Sequence, residues 1–483
     1  MSTAKRVVRN TSYLLIARII TVAIGAATSI LTARYLGTSS FGVLGFALAF
    51  TAIFGVLIDF GLSMLTTREV ARDPALASKY FANIIVMRLF LGGAVVAVIA
   101  LLVNVMAYPQ QTIYVTFIIS LSVVMNAVAG TIAALFQAFQ KLQYVAIGWL
   151  VTSILMLVGV IGAIGLRLDV ISFAYVYVIA NTITVVYFFV AYGVQSQLKR
   201  PEIDWDFWKA TLQEAWPMAA LSISVMIYYR VDVVLLSLFQ NAAQIGLYTV
   251  AYTLSETSII IPTVFMTSLF PVISQMHENS KRSFADTCAK SAKYMLYIAL
   301  PMAFTVTLWA VPIITIFYGD AFAGSAAALQ IIIWSAAAMY VGIILGNAFV
   351  SANLQKLSMK ITIGAMAFNI ILNVLVIPTY GYLGASATTV ATEAFILCTS
   401  IFFLERSGYP LGLRRIVKPP FYGLAIISAT SAVLLTYKVH LVLVTVIALI
   451  VYAAIIWQFG LDEEDKKLML SLLKNPRFAT VRT

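Results

Sequence analysis

Long apolar runs dominate this sequence and recur at intervals along its whole length. A helix needs about 20 mainly apolar residues to cross the roughly 30 Å hydrocarbon layer of a bilayer. By that criterion the chain contains fourteen candidate membrane spans. They begin near residues 11, 40, 81, 112, 143, 170, 215, 244, 293, 325, 359, 383, 417 and 439. The pattern predicts an all-α integral membrane protein with about 14 transmembrane helices.

The composition supports this fold class. Of the 483 residues, 62% are hydrophobic and only 10% are charged, whereas soluble domains average roughly 45–50% and about 25%. A surface that meets water on all sides cannot be built from so few charges. In a soluble domain the net charge of +12 would suggest a nucleic-acid partner. In a membrane protein the same charge can instead orient the spans, and the positions of the basic residues distinguish the two.

The basic residues are concentrated on alternate loops. If the N-terminus is cytoplasmic, 25 of the 31 Lys and Arg residues fall in inner loops and tails. The other six are Arg34, Arg167 and Lys438 in outer loops, and Arg18, Arg88 and Arg230 within spans. This positive-inside pattern predicts a multi-pass protein of the cell membrane with both termini cytoplasmic and no nucleic-acid partner. The first span outruns a signal-peptide core and lacks a convincing cleavage site, so we expect it to be retained.

Short segments recur between the first six spans and the next six. Residues 35–42 (YLGTSSFG) match residues 239–246 (FQNAAQIG), at an offset of 204. Gln-Lys-Leu at 140–142 recurs at 355–357, and residues 187–189 (YFF) match residues 401–403 (IFF), at offsets of 215 and 214. The shared order and spacing predict two six-helix lobes with the same orientation and a substrate site between them.

This repeat suggests a division of the chain. The domains we expect are an N-terminal lobe at 1–194, a cytoplasmic interfacial linker at 195–214, a C-terminal lobe at 215–405, two further spans at 406–460 and a cytoplasmic tail at 461–483.

Polar and ionisable residues inside the spans are few. They are costly at membrane depth and usually face a bundle interior or a water-filled cavity. For substrate binding we expect Arg18, Arg88, Arg230, Asn369 and Asn373. For ion coupling we expect Asp59, Asp232, Glu256 and Glu393. The structural alternatives are buried ion pairs that fix helix packing, arginines that snorkel to an interface, and acids that stay neutral because burial raises a carboxyl pKa.

Signatures of enzymes and metal sites are missing from the sequence. It has no phosphate-binding G-x-x-x-x-G-K-[ST] loop and no H-E-x-x-H motif. Only two Cys and two His occur, and they are isolated from one another, so we expect neither a metal nor a disulfide framework. We therefore expect a transporter rather than an enzyme, with no cofactor beyond a coupling H⁺ or Na⁺.

The N-terminal stretch carries a more specific pattern. Asn10-Thr11 opens span one, Ala33-Arg34-Tyr35-Leu36-Gly37 stands at its outer end, Phe41-Gly42 begins span two, and Asp59-Phe60-Gly61-Leu62 ends it before Arg68-Glu69. This pattern resembles the polysaccharide biosynthesis family of Wzx-type flippases, in the MOP exporter superfamily together with the MATE drug exporters and the lipid II flippases. The positions that carry the signature are Arg34, Gly37, Gly42 and Asp59.

The resemblance implies two six-helix lobes around a central cavity and alternating access. It also implies a polyprenyl- or dolichyl-linked sugar as substrate, joined through phosphate or pyrophosphate, with the lipid bilayer and glycan assembly proteins as partners. Cationic cavities are typical of the flippase members. Arginine suits such a substrate because it is a permanently charged, bidentate donor to phosphate.

Two other functions remain open at this point. A MATE-like exporter of organic cations would need acids in the cavity. The sequence offers four candidates within its spans: Asp59, Asp232, Glu256 and Glu393. A polytopic glycosyltransferase or O-antigen polymerase would be expected to show charged residues in a substantial outer loop. The predicted outer loops are short, which disfavours this third class.

Overall fold

A computed structural model describes residues 3–194, 203–463 and 465–467. All regular secondary structure in this part of the chain is helical. The helices are α1 (Thr3–Asp59), α2 (Leu62–Arg72), α3 (Ala77–Val105), α4 (Gln110–Ala138), α5 (Leu142–Gly165), α6 (Val170–Gly193), α7 (Trp205–Phe239), α8 (Ala242–Thr257), α9 (Ile260–Asn279), α10 (Lys281–Tyr318), α11 (Ser325–Ser351), α12 (Gln355–Arg406), α13 (Leu413–Thr436) and α14 (Leu441–Ile455).

The predicted all-α membrane fold is confirmed. Within the described residues, twelve helical stretches are long and apolar enough to cross a membrane. Two of them, in α1 and α12, each join two of the predicted spans across an internal break. The breaks lie at Gly37 and Gly381, whose φ angles are 71° and 55°. Glycine adopts such positive φ values without the penalty that a Cβ imposes. When each of these two broken stretches is counted as two spans, the total is the predicted fourteen.

The turn between α7 and α8 is the sequence equivalent of the Gly37 break. Here α7 ends and α8 begins, so the chain forms a turn where α1 has only a kink. Asn241 caps α8 by accepting a hydrogen bond from the backbone N–H of Gln244 at 3.1 Å. Asparagine is among the best residues for this position because its side-chain oxygen satisfies an otherwise free N–H. The two copies of the repeat therefore use different local chemistry at the same place.

The chain divides into two compact units, each described here by itself. The first comprises Met1–Ile260, Val311–Ile332 and Met359–Thr392. In it α1 packs against α4, α5, α7 and α8. A core cluster that includes Leu62, Ile84, Met87, Ile132 and Phe136 joins α2, α3 and α4. This unit contains the cavity described below.

The second unit comprises Ile261–Ala310, Ile333–Ser358 and Glu393–Thr483. Within it α14 and the helical turn that follows it, Ile456–Gly460, are each joined to α10 by one hydrogen bond: the indole of Trp309 donates to Thr445 at 2.8 Å, and Tyr297 donates to the carbonyl of Gly460 at 2.8 Å. Lys293 pairs with Asp465 at 2.6 Å. The division into lobes, linker and tail stays a prediction, and residues 195–202 and 468–483 of the expected linker and tail lie outside the described residues.

Candidate functional site

The first unit contains a cavity of about 480 Å³ whose lining is mainly apolar, with several hydroxyl and two charged side chains among the described residues. Five helices supply its walls: α1, α5, α6, α7 and α8. The lining residues are Gly25, Thr28, Ser29, Thr32, Phe41, Leu44, Gly45, Leu48, Ala49, Ala52, Thr152, Ser153, Met156, Tyr177, Arg230, Val233, Thr249, Tyr252, Thr253 and Glu256. The volume is in the lower part of the range of small-molecule sites, which run from about 300 to 1,000 Å³.

Helix α1 contributes to the cavity on both sides of its break. Before Gly37 it presents small and hydroxyl residues at helical spacing, and after the break it presents mainly apolar ones. The hydroxyl groups of Thr28 and Thr32 donate hydrogen bonds within the helix. Thr28 donates to the carbonyl of Ile24 and Thr32 to that of Thr28, both at 2.8 Å. Because the donor of each hydroxyl is used, its oxygen remains as an acceptor toward the cavity.

Two charged residues, Arg230 and Glu256, line the cavity in the described part of the chain. A guanidinium nitrogen of Arg230 lies 3.7 Å from a carboxylate oxygen of Glu256. The Arg230 side chain is 32% exposed and that of Glu256 is 47% exposed. Arg230 also stands over the ring of Tyr252, 5.5 Å from its centroid, so a cation–π contact holds its guanidinium on this wall.

Asp232 lies on α7 two residues beyond Arg230 and belongs to a different, buried network. It is 3% exposed and accepts hydrogen bonds from the hydroxyl of Tyr248 and from the backbone N–H of Val233. The Tyr248 hydroxyl also lies 3.2 Å from that of Thr389 on α12. Helix geometry accounts for this separation, since residues at i and i+2 do not share a face.

Asn369 and Asn373 extend this buried polar region along α12. The Asn373 amide donates to the Asn369 side chain at 2.9 Å, and Asn369 donates to Thr392 at 3.1 Å. Thr392 and Thr389 are three residues apart and therefore neighbours on one helix face. The side-chain oxygen of Asn373 is buried without a hydrogen-bond partner among the described residues. These asparagines are not among the residues that line the cavity.

Arg88 and Asp59 form an ion pair outside the cavity. The fully buried guanidinium of Arg88 donates to Asp59, to the hydroxyls of Ser63 and Thr131 at 2.7 and 2.8 Å, and to the carbonyl of Ala127. These bonds connect α3 with α1, α2 and α4. The arrangement matches the structural alternative, in which a buried pair needs several hydrogen bonds to offset its desolvation.

The remaining predicted residues are dispersed. Arg18 is exposed, and no carboxylate among the described residues pairs with it. Arg34 is exposed near the break. Glu393 is 5% exposed and begins the last segment of the second unit. Of the nine residues predicted for substrate binding and ion coupling, Arg230 and Glu256 are the two that line the cavity.

Helices α1 and α8 cross in close contact at Gly42 and Gly246, beside the cavity. A Cβ on Gly42 would lie 1.7 Å from the carbonyl oxygen of Ala242, and one on Gly246 would lie 2.1 Å from that of Thr38. Thr38 and Ala242, like Gly42 and Gly246, are related by the offset of 204 that links the sequence repeats. Such a reciprocal contact is what an approximate two-fold relation between the repeats produces.

Two ion pairs join the start of α7 to α2 and α3. Arg68 on α2 forms an ion pair with Glu214 on α7, and Lys79 pairs with Asp204 at 2.7 Å. Asp204 caps α7 by accepting from the N–H of Phe207 at 3.0 Å. The Lys79 ammonium and this N–H hold the pKa of Asp204 below its usual range.

The sequence did not indicate the wall formed by α5 and α6. Thr152 and Ser153 line the cavity from α5, and Tyr177 lines it from α6. Thr152 donates to the carbonyl of Gly148 at 3.0 Å and shares a hydrogen bond with Thr184 at 2.8 Å. The adjacent hydroxyls of Thr152 and Ser153, in an otherwise apolar span, were the available signal.

These features define a polytopic helical membrane protein with a cavity that, among the described residues, is lined by one arginine and one glutamate. The family model described as "Polysaccharide biosynthesis protein" matches residues 7–277, more than half of the sequence. The chain belongs to the polysaccharide biosynthesis protein family. A second model, described as MatE, matches residues 217–375. The family resemblance seen in the N-terminal stretch is thus confirmed.

Two similar sequences come from the archaeon Haloferax volcanii. The probable low-salt glycan biosynthesis flippase Agl15 is 23% identical over 174 residues, which are 36% of this chain and 37% of that protein. The probable flippase AglR is 24% identical over 168 residues, which are 34% of this chain and 35% of that protein. The chain therefore spans about a third of the length of these curated relatives.

Solved structures share the fold over most of the chain. The lipid II flippase MurJ, in an inward closed conformation, has a TM-score of 0.73 at 14% identity and covers 91% of this chain and 97% of its own. An inward-facing multidrug resistance MATE family transporter of the MOP superfamily has a TM-score of 0.68 at 15% identity, covering 82% and 98%. The fold is therefore that of MOP-superfamily transporters.

Proposed function

We propose that this protein is a flippase that moves an isoprenoid-(pyro)phosphate-linked oligosaccharide across the membrane for the assembly of surface polysaccharide or glycoconjugate. The observation that carries the proposal is Arg230, an arginine exposed to a cavity at membrane depth. A phosphate head cannot enter hydrocarbon unaided, and a guanidinium is the side chain best suited to bind it.

The cavity walls suit the sugar part of such a substrate. Hydroxyl oxygens from α1, α5 and α8 line it, and the donors of Thr28, Thr32, Thr152 and Thr249 are already used by backbone carbonyls. The walls therefore offer acceptors to the hydroxyl groups of a sugar. The polyprenyl tail stays in the bilayer while the polar part crosses. The names of Agl15 and AglR as probable flippases support the same activity.

Movement of an empty carrier back across the membrane needs a driving force, and we assign it to H⁺ or Na⁺. Glu256 is in the cavity, and Asp232 is in the buried network next to it, so each is a candidate for the coupling group. A carboxyl group can alternate between charged and neutral states as its access to water changes. Replacement of Glu256 by Gln should slow transport that is driven by an ion gradient.

The test of this function is complementation in cells that lack their own copy of the gene. The wild-type protein should restore surface glycan and prevent accumulation of lipid-linked glycan inside. Arg230→Ala should fail in both respects while reaching the membrane in normal amount. Arg167→Ala, a matched control at an exposed arginine in the turn between α5 and α6, should behave as wild type. Normal export by Arg230→Ala would contradict the proposal.

A second candidate is a MATE-like exporter of organic cations. The Glu256 carboxylate in the cavity and the MatE match over residues 217–375 favour it. In that case Glu256→Gln, rather than Arg230→Ala, should abolish transport, and the protein should lower the accumulation of a cationic dye such as ethidium. Dye efflux by the wild type without any effect on lipid-linked glycan would support this candidate over the flippase.

A further inference from the structure

The ion pair in the cavity is loose. The 3.7 Å between Arg230 and Glu256 exceeds the range of a hydrogen bond, and Arg230 makes no hydrogen bond with any described residue. Both side chains are open to the cavity, at 32% and 47% exposure. The guanidinium donors are thus available to an incoming ligand, while the charge of Arg230 is balanced by Glu256 in the empty protein.

The surroundings contain few other groups that could take part. The walls from α1, α5 and α6 contribute no charged side chain among the described residues, and their one titratable group is the Tyr177 phenol. On α8, Tyr252 stacks under Arg230. Asp232 is next to this wall but is buried and held by Tyr248. Glu256 is therefore the carboxylate that shares the cavity with Arg230.

A phosphate bound at Arg230 changes the charge balance of this site. The empty pair has a net charge of zero. A phosphate with one negative charge makes the total −1 if Glu256 stays ionised, in an environment where like charges repel strongly. If the Glu256 carboxylate takes up one proton from water as the phosphate arrives, the total stays zero. Repulsion by the phosphate favours this neutral form of the acid.

We propose that Glu256 and the substrate phosphate compete for Arg230, so that each phosphate bound in the cavity is accompanied by the uptake of one proton at Glu256. This inference rests on the proposed function and adds a regulatory device to its site. The exchange ties occupation of the cavity to protonation of Glu256. The carrier is then electrically balanced both when it is empty and when it is loaded, which are the two states that must reorient.

The experiment counts the protons directly. Purified full-length protein is titrated with a farnesyl phosphoryl sugar, whose single phosphodiester group carries one negative charge at neutral pH. Calorimetry in two buffers of different ionisation enthalpy gives the number of protons taken up per ligand. We expect about one for the wild type, and by linkage an apparent Kd that rises with pH by up to about tenfold per unit.

Variants at Glu256 test the source of the proton. Glu256→Gln should bind the probe with uptake near zero and with a Kd that is nearly independent of pH. Glu256→Asp keeps a titratable group and should keep the uptake. The exposed acid Asp320 provides the control, because Asp320→Asn should match the wild type. Uptake that persists in Glu256→Gln, or that disappears in Asp232→Asn instead, would overturn the proposal.

Arg230→Ala separates this inference from the function on which it rests. If Arg230→Ala binds the probe as tightly as wild type, the anion site of the proposed function is wrong. If Arg230→Ala binds weakly at every pH and Glu256→Gln still takes up a proton, the site stands and only the exchange is wrong.

Discussion

Replacing Gly42 by alanine should open the contact between α1 and α8. The added Cβ would lie 1.7 Å from the carbonyl oxygen of Ala242, whereas a carbon–oxygen contact needs about 3.3 Å. The two helices must therefore separate by roughly 1.6 Å at this point. The carbonyl belongs to the backbone and the position of a Cβ is fixed by its own backbone, so no side-chain rotation can relieve the overlap.

The energetic effect can be placed within limits. Overpacking of a close contact costs about 1–3 kcal/mol, which corresponds to a shift of about 5–150-fold in a two-state equilibrium. In the predicted topology the crossing lies on the outer side, just after the break in α1 and in the first turns of α8, and the cavity residues Phe41 and Thr249 lie within about a turn of it. Loss of the contact should therefore favour a conformation in which the cavity is open to the outside.

The assay is the rate at which a cavity cysteine reacts with a membrane-impermeant maleimide added from outside. Thr253→Cys is introduced into a background that lacks Cys288 and Cys398. Gly42→Ala should raise the labelling rate about fivefold or more. Gly93→Ala is the matched control, since a Cβ there meets nothing within 4 Å. An unchanged labelling rate in a folded Gly42→Ala protein would refute the assignment of this crossing as the outer closure.

Three further predictions concern topology, packing and pH. Cysteines at Gln110, Asn241 or Gly384 should react with an impermeant maleimide from outside, and cysteines at Ser280 or Lys356 only after permeabilisation; the reverse pattern would overturn the predicted orientation. Arg88→Ala should lower stability by about 1–3 kcal/mol, because it leaves the buried hydroxyl of Thr131 without this hydrogen-bond partner, and thermal unfolding should separate it from a well-folded Arg230→Ala. Burial disfavours the Asp465 carboxylate, but hydrogen bonds from Lys293 and Tyr294 outweigh this and hold its pKa below the usual value. Its contribution to stability should therefore be lost as pH falls below about 4, and Asp465→Asn should have a thermal stability with less dependence on pH in that range.

The membrane spans could be predicted because hydrocarbon imposes one requirement on all of them. Each needs about 20 apolar residues, and that requirement is local in sequence. The breaks at Gly37 and Gly381 lie between predicted spans, but the sequence did not show that each pair of spans forms one kinked helix. The match between residues 35–42 and 239–246 aligned Gly42 with Gly246, but only the structure shows that the two helices touch there.

The site was harder to predict because its members come from distant parts of the chain. Arg88 and Arg230 look alike in sequence, as arginines in apolar spans. Only the packing of α3 against α1 and α4 shows that Arg88 is enclosed by Asp59, Ser63 and Thr131. Similarly, Tyr248, Tyr252 and Glu256 follow one another at steps of four along α8, yet Tyr248 bonds to Asp232 while Glu256 faces Arg230.

The central claim is that Arg230 enables an anionic lipid-linked sugar to cross the membrane. Its most direct test is transfer of a fluorescent prenyl diphosphoryl sugar between the leaflets of proteoliposomes that contain the purified protein. Transfer should be rapid with the wild type, slower with Arg230→Lys and close to that of protein-free vesicles with Arg230→Ala, and a prenyl glycoside without phosphate should not be moved. Equal transfer by Arg230→Ala and wild type would contradict the claim.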